Sequence, residues 1–305
     1  MRIENVAIVG RGALGLLFGS VIADSLSADA VTFVMDDERY ARHKDEVVTV
    51  NGKPCAVGTT PASQASPADL VIVATKATGL DAALDSMEPL VGVHTRIVSV
   101  LNGVTSEERI AARYGWENTV ITVAQGMDAV FIDNELTFAH AGELRFGGAP
   151  QTSHETVEDL VDFCTRSRIA FTVEDNIRHR LWTKFMLNVG VNQTCMVYGS
   201  TYGQVCEEGE QNMCFIAAMR EALAVARAEG IDVSEQDLSD MATLMTTLDP
   251  SGMPSMAQDR INGKRTEVDE FAGTVIRLAE KHGILVPQNR WLYERVREIE
   301  ASYAG

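Results

Sequence analysis

The chain has 305 residues, 46% apolar and 23% charged, which gives room for two domains and is too apolar for a disordered polymer. Its formal net charge of −17 argues against non-specific attraction to nucleic-acid phosphates or anionic membranes, so an anionic ligand needs a local cluster of Lys or Arg. Cysteines at 55, 164, 195, 206 and 214 form no Cys-x-x-Cys pair and the histidines no i, i+4 pair, which fits reduced thiols and predicts neither a disulfide frame nor a metal site.

The N-terminus runs directly into the apolar stretch Val6 to Val9, without a signal-peptide core and cleavage site. No uncharged apolar stretch approaches the ~18 residues of a membrane span, and a cytoplasmic protein is expected. A helix over Ala13 to Ala23 follows, then a β-branched strand over Val31 to Met35. Further strands are predicted at Leu70 to Ala74, Arg96 to Leu101 and Thr119 to Val123, with room for helices between them. Because these runs are continuously apolar, the strands should be buried on both faces in a parallel sheet covered by helices. Phe138 to Gly148 reads as a glycine-punctuated hairpin, and Ile169 to Val173 as a last strand.

After Glu174 the pattern becomes helical. Arg180 to Val197, Glu208 to Glu229, Glu235 to Leu248, Met256 to Asn262 and Glu267 to His282 carry helical apolar spacing, with Gly or Pro between them. The expected architecture is an α/β Rossmann-type dinucleotide-binding domain over residues 1–174, followed by an all-helical domain over 175–305.

Gly10-Arg11-Gly12-Ala13-Leu14-Gly15 follows the first strand and opens the first helix, which is G-x-G-x-x-G in the context that gives it meaning. The first Gly allows a tight turn, the second lets backbone approach a pyrophosphate, and the third lets helix pack on strand. The helix N-terminus then faces the phosphates. Asp36 lies 21 positions after Gly15, near the ~20-residue offset of an acid that accepts from the adenosine ribose. Equally, Asp36-Asp37-Glu38 could cap a helix starting at Glu38, and both roles can hold.

In the helical half, Lys184, Asn188 and Asn192 fall at i, i+4 and i+8, on one face of an otherwise apolar helix. The lysine could be a snorkelling surface residue, or the stripe could be a site, since two aligned carboxamides need partners when buried. Thr266 followed by Asp269 resembles an N-cap with an acidic N3 residue, which would make Glu267 a first-turn charge.

Together these pieces resemble the ketopantoate reductase (2-dehydropantoate 2-reductase) family. The resemblance is carried by the glycine loop, Thr75-Lys76-Ala77, Leu101-Asn102-Gly103-Val104, His140-Ala141-Gly142, Trp182-x-Lys184-x3-Asn188-x3-Asn192, and Ser255-Met256-x-x-Asp259-x7-Glu267-x-Asp269. It spans residues 6 to 273 and implies an active site in the cleft between the two domains. There 2-dehydropantoate would be reduced to pantoate, a step towards pantothenate and coenzyme A. Carried across, Lys184 matches the catalytic lysine, Glu267 the substrate-binding glutamate and Asn102 the asparagine near nicotinamide and substrate. Ser255 and Asn192 match substrate contacts, and Asn188 a further cleft asparagine. Cofactor contacts are implied at Gly10, Gly12, Ala13, Leu14, Gly15, Asp36, Lys76 and Asn102. The chemistry is coherent: hydride arriving at a ketone carbon leaves charge on oxygen, and a lysine with a reference pKa of about 10.4 is a protonated donor at neutral pH.

Three positions depart from the family pattern. NADP-selective members usually carry Arg or another phosphate-compatible residue where this chain has Asp36, so the resemblance implies NADP(H) while the residue points to NAD(H). Gly79 stands where a polar residue often follows Thr-Lys-Ala, and Tyr202 where an asparagine is often found, which leaves the exact 2-keto acid open. The expected partner is a small anionic 2-keto acid, with neither nucleic acid nor membrane; assembly as a homodimer is left open. The alternatives are a reductase of another 2-keto acid on the same scaffold and a non-catalytic dinucleotide-sensing protein.

Overall fold

The computed structural model describes residues 1–304 and divides into two compact units, Met1–Ile177 and a second beginning at Arg178. The first opens with β1 (Val6–Val9), α1 (Ala13–Ser25), β2 (Val31–Met35) and α2 (Asp37–His43). Then come β3 (Thr49–Val50), β4 (Lys53–Pro54), β5 (Gly58–Pro61), β6 (Leu70–Val73), α3 (Leu80–Ser86), β7 (Arg96–Ser99), α4 (Ser106–Tyr114) and β8 (Thr119–Met127). β9 (Val130–Ile132), β10 (Glu135–Thr137), β11 (Ala141–Gly148), α5 (His154–Arg166) and β12 (Phe171–Val173) complete it.

The main sheet has eight strands in the order β12-β11-β8-β7-β6-β1-β2-β5, and every pairing is parallel except β8 with β11. Strand residues alternate between two cores. Val6, Ile8, Leu70, Ile72 and Val98 pack with Leu16, Leu17 and Phe18 of α1 and Leu160 and Phe163 of α5. Ala7, Val9, Val71, Val73 and Ile97 pack with Leu80 and Leu84 of α3 and Ile110 of α4. Burial on both faces is why these strands are apolar without alternation. The order reverses between β1 and β6, which are neighbours although β2 to β5 intervene in the chain, and Ala74 N–H donates to Val9 O at 2.8 Å there. A ligand crevice forms beyond the carboxyl ends of strands at such a switch point.

A second sheet, β4-β3-β10-β9, was not anticipated. Phe138 to Gly148 is not a hairpin: Ala141–Gly148 is the single strand β11, and the turn nearby joins β9 to β10 through Asp133 and Asn134, at φ 49° and 62°. Its glycines mark close approach: a side chain at Gly142 would meet Gln125 O at 2.3 Å.

The second unit is helical: α6 (Ile177–Tyr198), α7 (Tyr202–Cys206), α8 (Glu210–Ala228), α9 (Glu235–Met245), α10 (Ser255–Ile261), α11 (Thr274–His282) and α12 (Pro287–Ala301). α6 is enclosed around most of its circumference. Trp182 and Phe185 meet edge-on with ring centroids 5.5 Å apart, Phe185 and Phe271 lie at 6.4 Å, and Val189 and Cys195 are buried elsewhere on the helix. The stretch from Glu267 is not one helix: a π-helical turn, Asp269–Gly273, precedes α11. α12 was not expected, although Pro287 at its first turn is a start signal.

Candidate active site

The glycine loop of the first unit has the geometry of a phosphate cradle. Gly10 sits at φ +114°, and a side chain there would come within 2.5 Å of the Ala74 backbone, just past the end of β6. One at Gly15 would lie 1.9 Å from Gly10 O, so helix and strand meet only because it is absent. Gly12 differs, since a side chain there would meet nothing within 4 Å. The protein leaves that space open, as a group approaching the backbone from outside requires. α1, whose first residues are Ala13 and Leu14, has no capping side chain and no acid in its first turn. Its N–H donors and positive dipole end are therefore available to an anion. Beside Gly10, Thr75 Oγ1 is buried without a hydrogen-bond partner among the described residues. Open backbone, uncapped amides and an orphaned hydroxyl together fit a bound dinucleotide.

Asp36 follows β2 and is the N-cap of α2, its Oδ1 accepting from Arg39 N–H at 2.8 Å. The helix begins at Asp37, one residue earlier than expected, and Asp37 Oδ1 accepts from Ser63 N–H at 3.2 Å. Asp36, Asp37, Glu38, Asp85 and Glu88 line one cavity. Of these, Asp85 and Glu88 face Arg113, at 2.5 and 3.8 Å. Arg11, the cation within the glycine loop, is turned away to Glu46 Oε2 at 2.7 Å and His43 O at 3.3 Å. Glu46 also meets His43 Nδ1 at 2.8 Å, and this contact, with Arg11 behind it, holds the Glu46 carboxyl below the usual range.

Lys76 follows β6 and Asn102 follows β7, both beyond the carboxyl ends of parallel strands. Asn102 precedes Gly103, which is at φ 103°. His140 of His-Ala-Gly is exposed and pairs with Asp128 at 3.0 Å.

In the second unit, α6 carries Lys184, Asn188 and Asn192 on one face, the first two half-buried and Asn192 buried. Asn192 Oδ1 accepts from the Ser255 hydroxyl at 3.0 Å and from Met256 N–H at 3.3 Å. Two stretches 63 residues apart thus meet at the start of α10. Arg260 clamps α10 to the end of α6, donating to Met196 O and Val197 O at 2.6 and 2.7 Å. Glu267 is half-buried and precedes the π-helical turn, where its carbonyl accepts from Glu270 N–H at 2.9 Å. The capping arrangement expected of Thr266 and Asp269 does not form. Thr266 gives both its N–H and its hydroxyl to Glu300 Oε1 at 2.7 Å, and Asp269 is taken by Arg297 and Tyr293 of α12. Partners on a distant helix displace the local cap.

Residues 6–150 match the family described as ketopantoate reductase PanE/ApbA, and residues 176–300 match its C-terminal domain. The chain belongs to the ketopantoate reductase family. It is accordingly an NAD(P)-dependent oxidoreductase with a Rossmann-type first domain and a helical second one. The 2-dehydropantoate 2-reductase of Streptococcus pyogenes serotype M3 is 25% identical over 303 residues, 97% of this chain and 98% of that one. Among solved structures, D-mandelate dehydrogenase with NADH and anilino(oxo)acetate superposes at a TM-score of 0.86, with 23% identity over 98% of this chain and 99% of that one. Dimeric ketopantoate reductase from Staphylococcus aureus superposes at 0.81, with 22% identity over 98% and 99%.

Within this reductase scaffold, motif spacing passed over Gln193, which is fully buried beside Asn192. Its Oε1 accepts from Ala272 N–H at 3.2 Å, and its Nε2 donates to Val189 O at 2.7 Å. It ties α6 to the π-helical turn that follows Glu267, and such turns recur at functional sites. Its one sequence signal is a polar residue beside the Asn stripe on a helix otherwise packed in apolar core. No helix among the described residues is long and apolar enough to cross a membrane.

Proposed function

We propose that this chain reduces 2-dehydropantoate to pantoate, with Lys184 as general acid. The observation carrying the reading is the Asn192–Ser255 contact, which joins the lysine-bearing face of α6 to the second motif. A dinucleotide held at the glycine loop would supply the hydride that the ketone carbon takes up. Lys184 donates a proton to the oxygen as charge develops there. Because Asn192 spends its acceptor on Ser255 and Met256, it offers substrate the donor Nδ2. Ser255, having given its proton to Asn192, offers a hydroxyl oxygen that accepts. Glu267 accepts from a substrate hydroxyl, with Asn188 as a further contact and Asn102 beside the reacting carbon. Gly10, Gly12, Ala13, Leu14, Gly15 and Lys76 hold the dinucleotide phosphates.

Asp36 keeps lone pairs beyond its capping bond for the ribose hydroxyls, and the carboxylates around it repel a 2′-phosphate. With Arg11 held by Glu46, NADH serves at least as well as NADPH. A second reading keeps the reaction and changes the substrate to a bulkier 2-keto acid. It is favoured by Tyr202, which stands where an asparagine is often found in the family. The experiment is oxidation of NADH and NADPH with 2-dehydropantoate and a panel of branched and aromatic 2-keto acids. Turnover confined to the aromatic acids rejects the first reading, and turnover of none rejects both.

A further inference from the structure

Behind the Asn102 loop lies a buried carboxyl that the proposed chemistry does not use. Leu101 N–H donates to Ser99 Oγ at 3.3 Å. The Ser99 hydroxyl donates to Ser106 Oγ at 2.9 Å, and the Ser106 hydroxyl to Glu107 Oε2 at 2.8 Å. Glu107 Oε1 accepts from Thr122 N–H, on β8, at 3.3 Å. Ser99, Ser106, Glu107 and Thr122 are each no more than 3% exposed. An acid in the first turn of a helix normally faces water and complements the dipole. This one is buried, where an ionisable group costs stability that an apolar residue of similar volume would not.

We propose that Glu107 is a positioning residue for Asn102, its carboxylate setting the backbone at Leu101, and with it the aim of the Asn102 carboxamide, through Ser106 and Ser99. The proposal rests on the reading that Asn102 acts in the reduction. Each of these donors points along the chain towards Glu107, as an ionised carboxylate requires. When Glu107 takes up a proton, one oxygen must become a donor. Oε1 faces an N–H, so Oε2 gives its proton to Ser106, and Ser106 must turn its own towards Ser99. Ser99 Oγ then accepts from both Leu101 N–H and Ser106 while its own proton loses its acceptor, so the relay reverses and the Leu101 contact weakens. Burial pushes the Glu107 carboxyl up to about 7, so the two states exchange near neutral pH. Glu108, the adjacent residue of α4, adds to the rise. Of the other charged groups nearby, Arg109 of α4 pairs with Asp81 of α3, and Arg96 of β7 with Asp159 of α5. β8 has no charged residue.

The test is kcat for keto-acid reduction at saturating dinucleotide, across a pH range bracketing about 7, together with the dinucleotide Kd by fluorescence. In the wild type, kcat is expected to rise through that pH. Glu107→Gln is expected to lack the rise and to fall about tenfold below wild type on the alkaline side, a loss typical of slight misplacement, with Kd unchanged. Ser99→Ala leaves the carboxyl its donors Ser106 and Thr122 but cuts the link to Leu101. It is expected to lack the rise too, and it decides alone if Glu107→Gln does not fold. Either variant retaining the wild-type profile overturns the proposal. Asn102→Ala separates the two failures: wild-type turnover there rejects the underlying reading as well, whereas impaired turnover with unaltered Glu107 and Ser99 profiles rejects this inference alone.

Discussion

Arg11 Nη2 lies 2.7 Å from Glu46 Oε2, so the cation of the glycine loop is already neutralised within the protein and held away from the carboxylates around Asp36. This relationship predicts cofactor preference. Wild-type kcat/KM with NADH is expected to equal or exceed that with NADPH. Asp36→Arg should move the ratio towards NADPH by about tenfold, the effect of one charge-assisted contact, and Glu46→Gln should move it the same way by freeing Arg11. A wild type preferring NADPH by more than about tenfold would overturn this account.

Lys184→Ala is expected to lower kcat by about 10²–10⁴-fold, the usual range for a lost general acid, with the thermal transition little changed. Turnover above about a third of wild type would remove Lys184 from the mechanism.

Glu267→Gln should raise the keto-acid KM and lower kcat/KM while dinucleotide affinity holds. Thr266 and Asp269 are anchored by Glu300 and Arg297 of α12, so the fold near Glu267 has its own supports. Normal kinetics with a lowered Tm would show instead that the charge is structural.

Glu107 also predicts a stability profile. Its carboxyl titrates at about 7 in the folded chain, against a reference of 4.5 for the unfolded one, so between those values the folded state binds more protons. Stability from this group is full below the unfolded value, falls as pH rises towards about 7, and stays lost above it. The whole swing is on the order of 3 kcal/mol. Denaturant unfolding of wild type and Glu107→Gln at both ends of that range should show the difference shrinking in the variant; parallel curves would refute it.

Much of this protein was legible in the sequence because its signals are local. G-x-G-x-x-G, the doubly apolar strands and the helical spacing after Glu174 each lie within one element, and Lys184, Asn188 and Asn192 share a face by helical period alone. Long-range pairing decided the rest. Asp36 caps α2, Thr266 turns from its own helix to Glu300, and Gly142 within Phe138–Gly148 serves close approach to β8 rather than a hairpin turn. Ser255 reaches Asn192 across 63 residues, and a first-turn glutamate, Glu107, is sealed beneath β8. A residue's spacing reports which side of its own element it occupies. Which partner waits on that side is set by how distant elements pack, and that packing determines whether a carboxylate caps, pairs, binds or is buried.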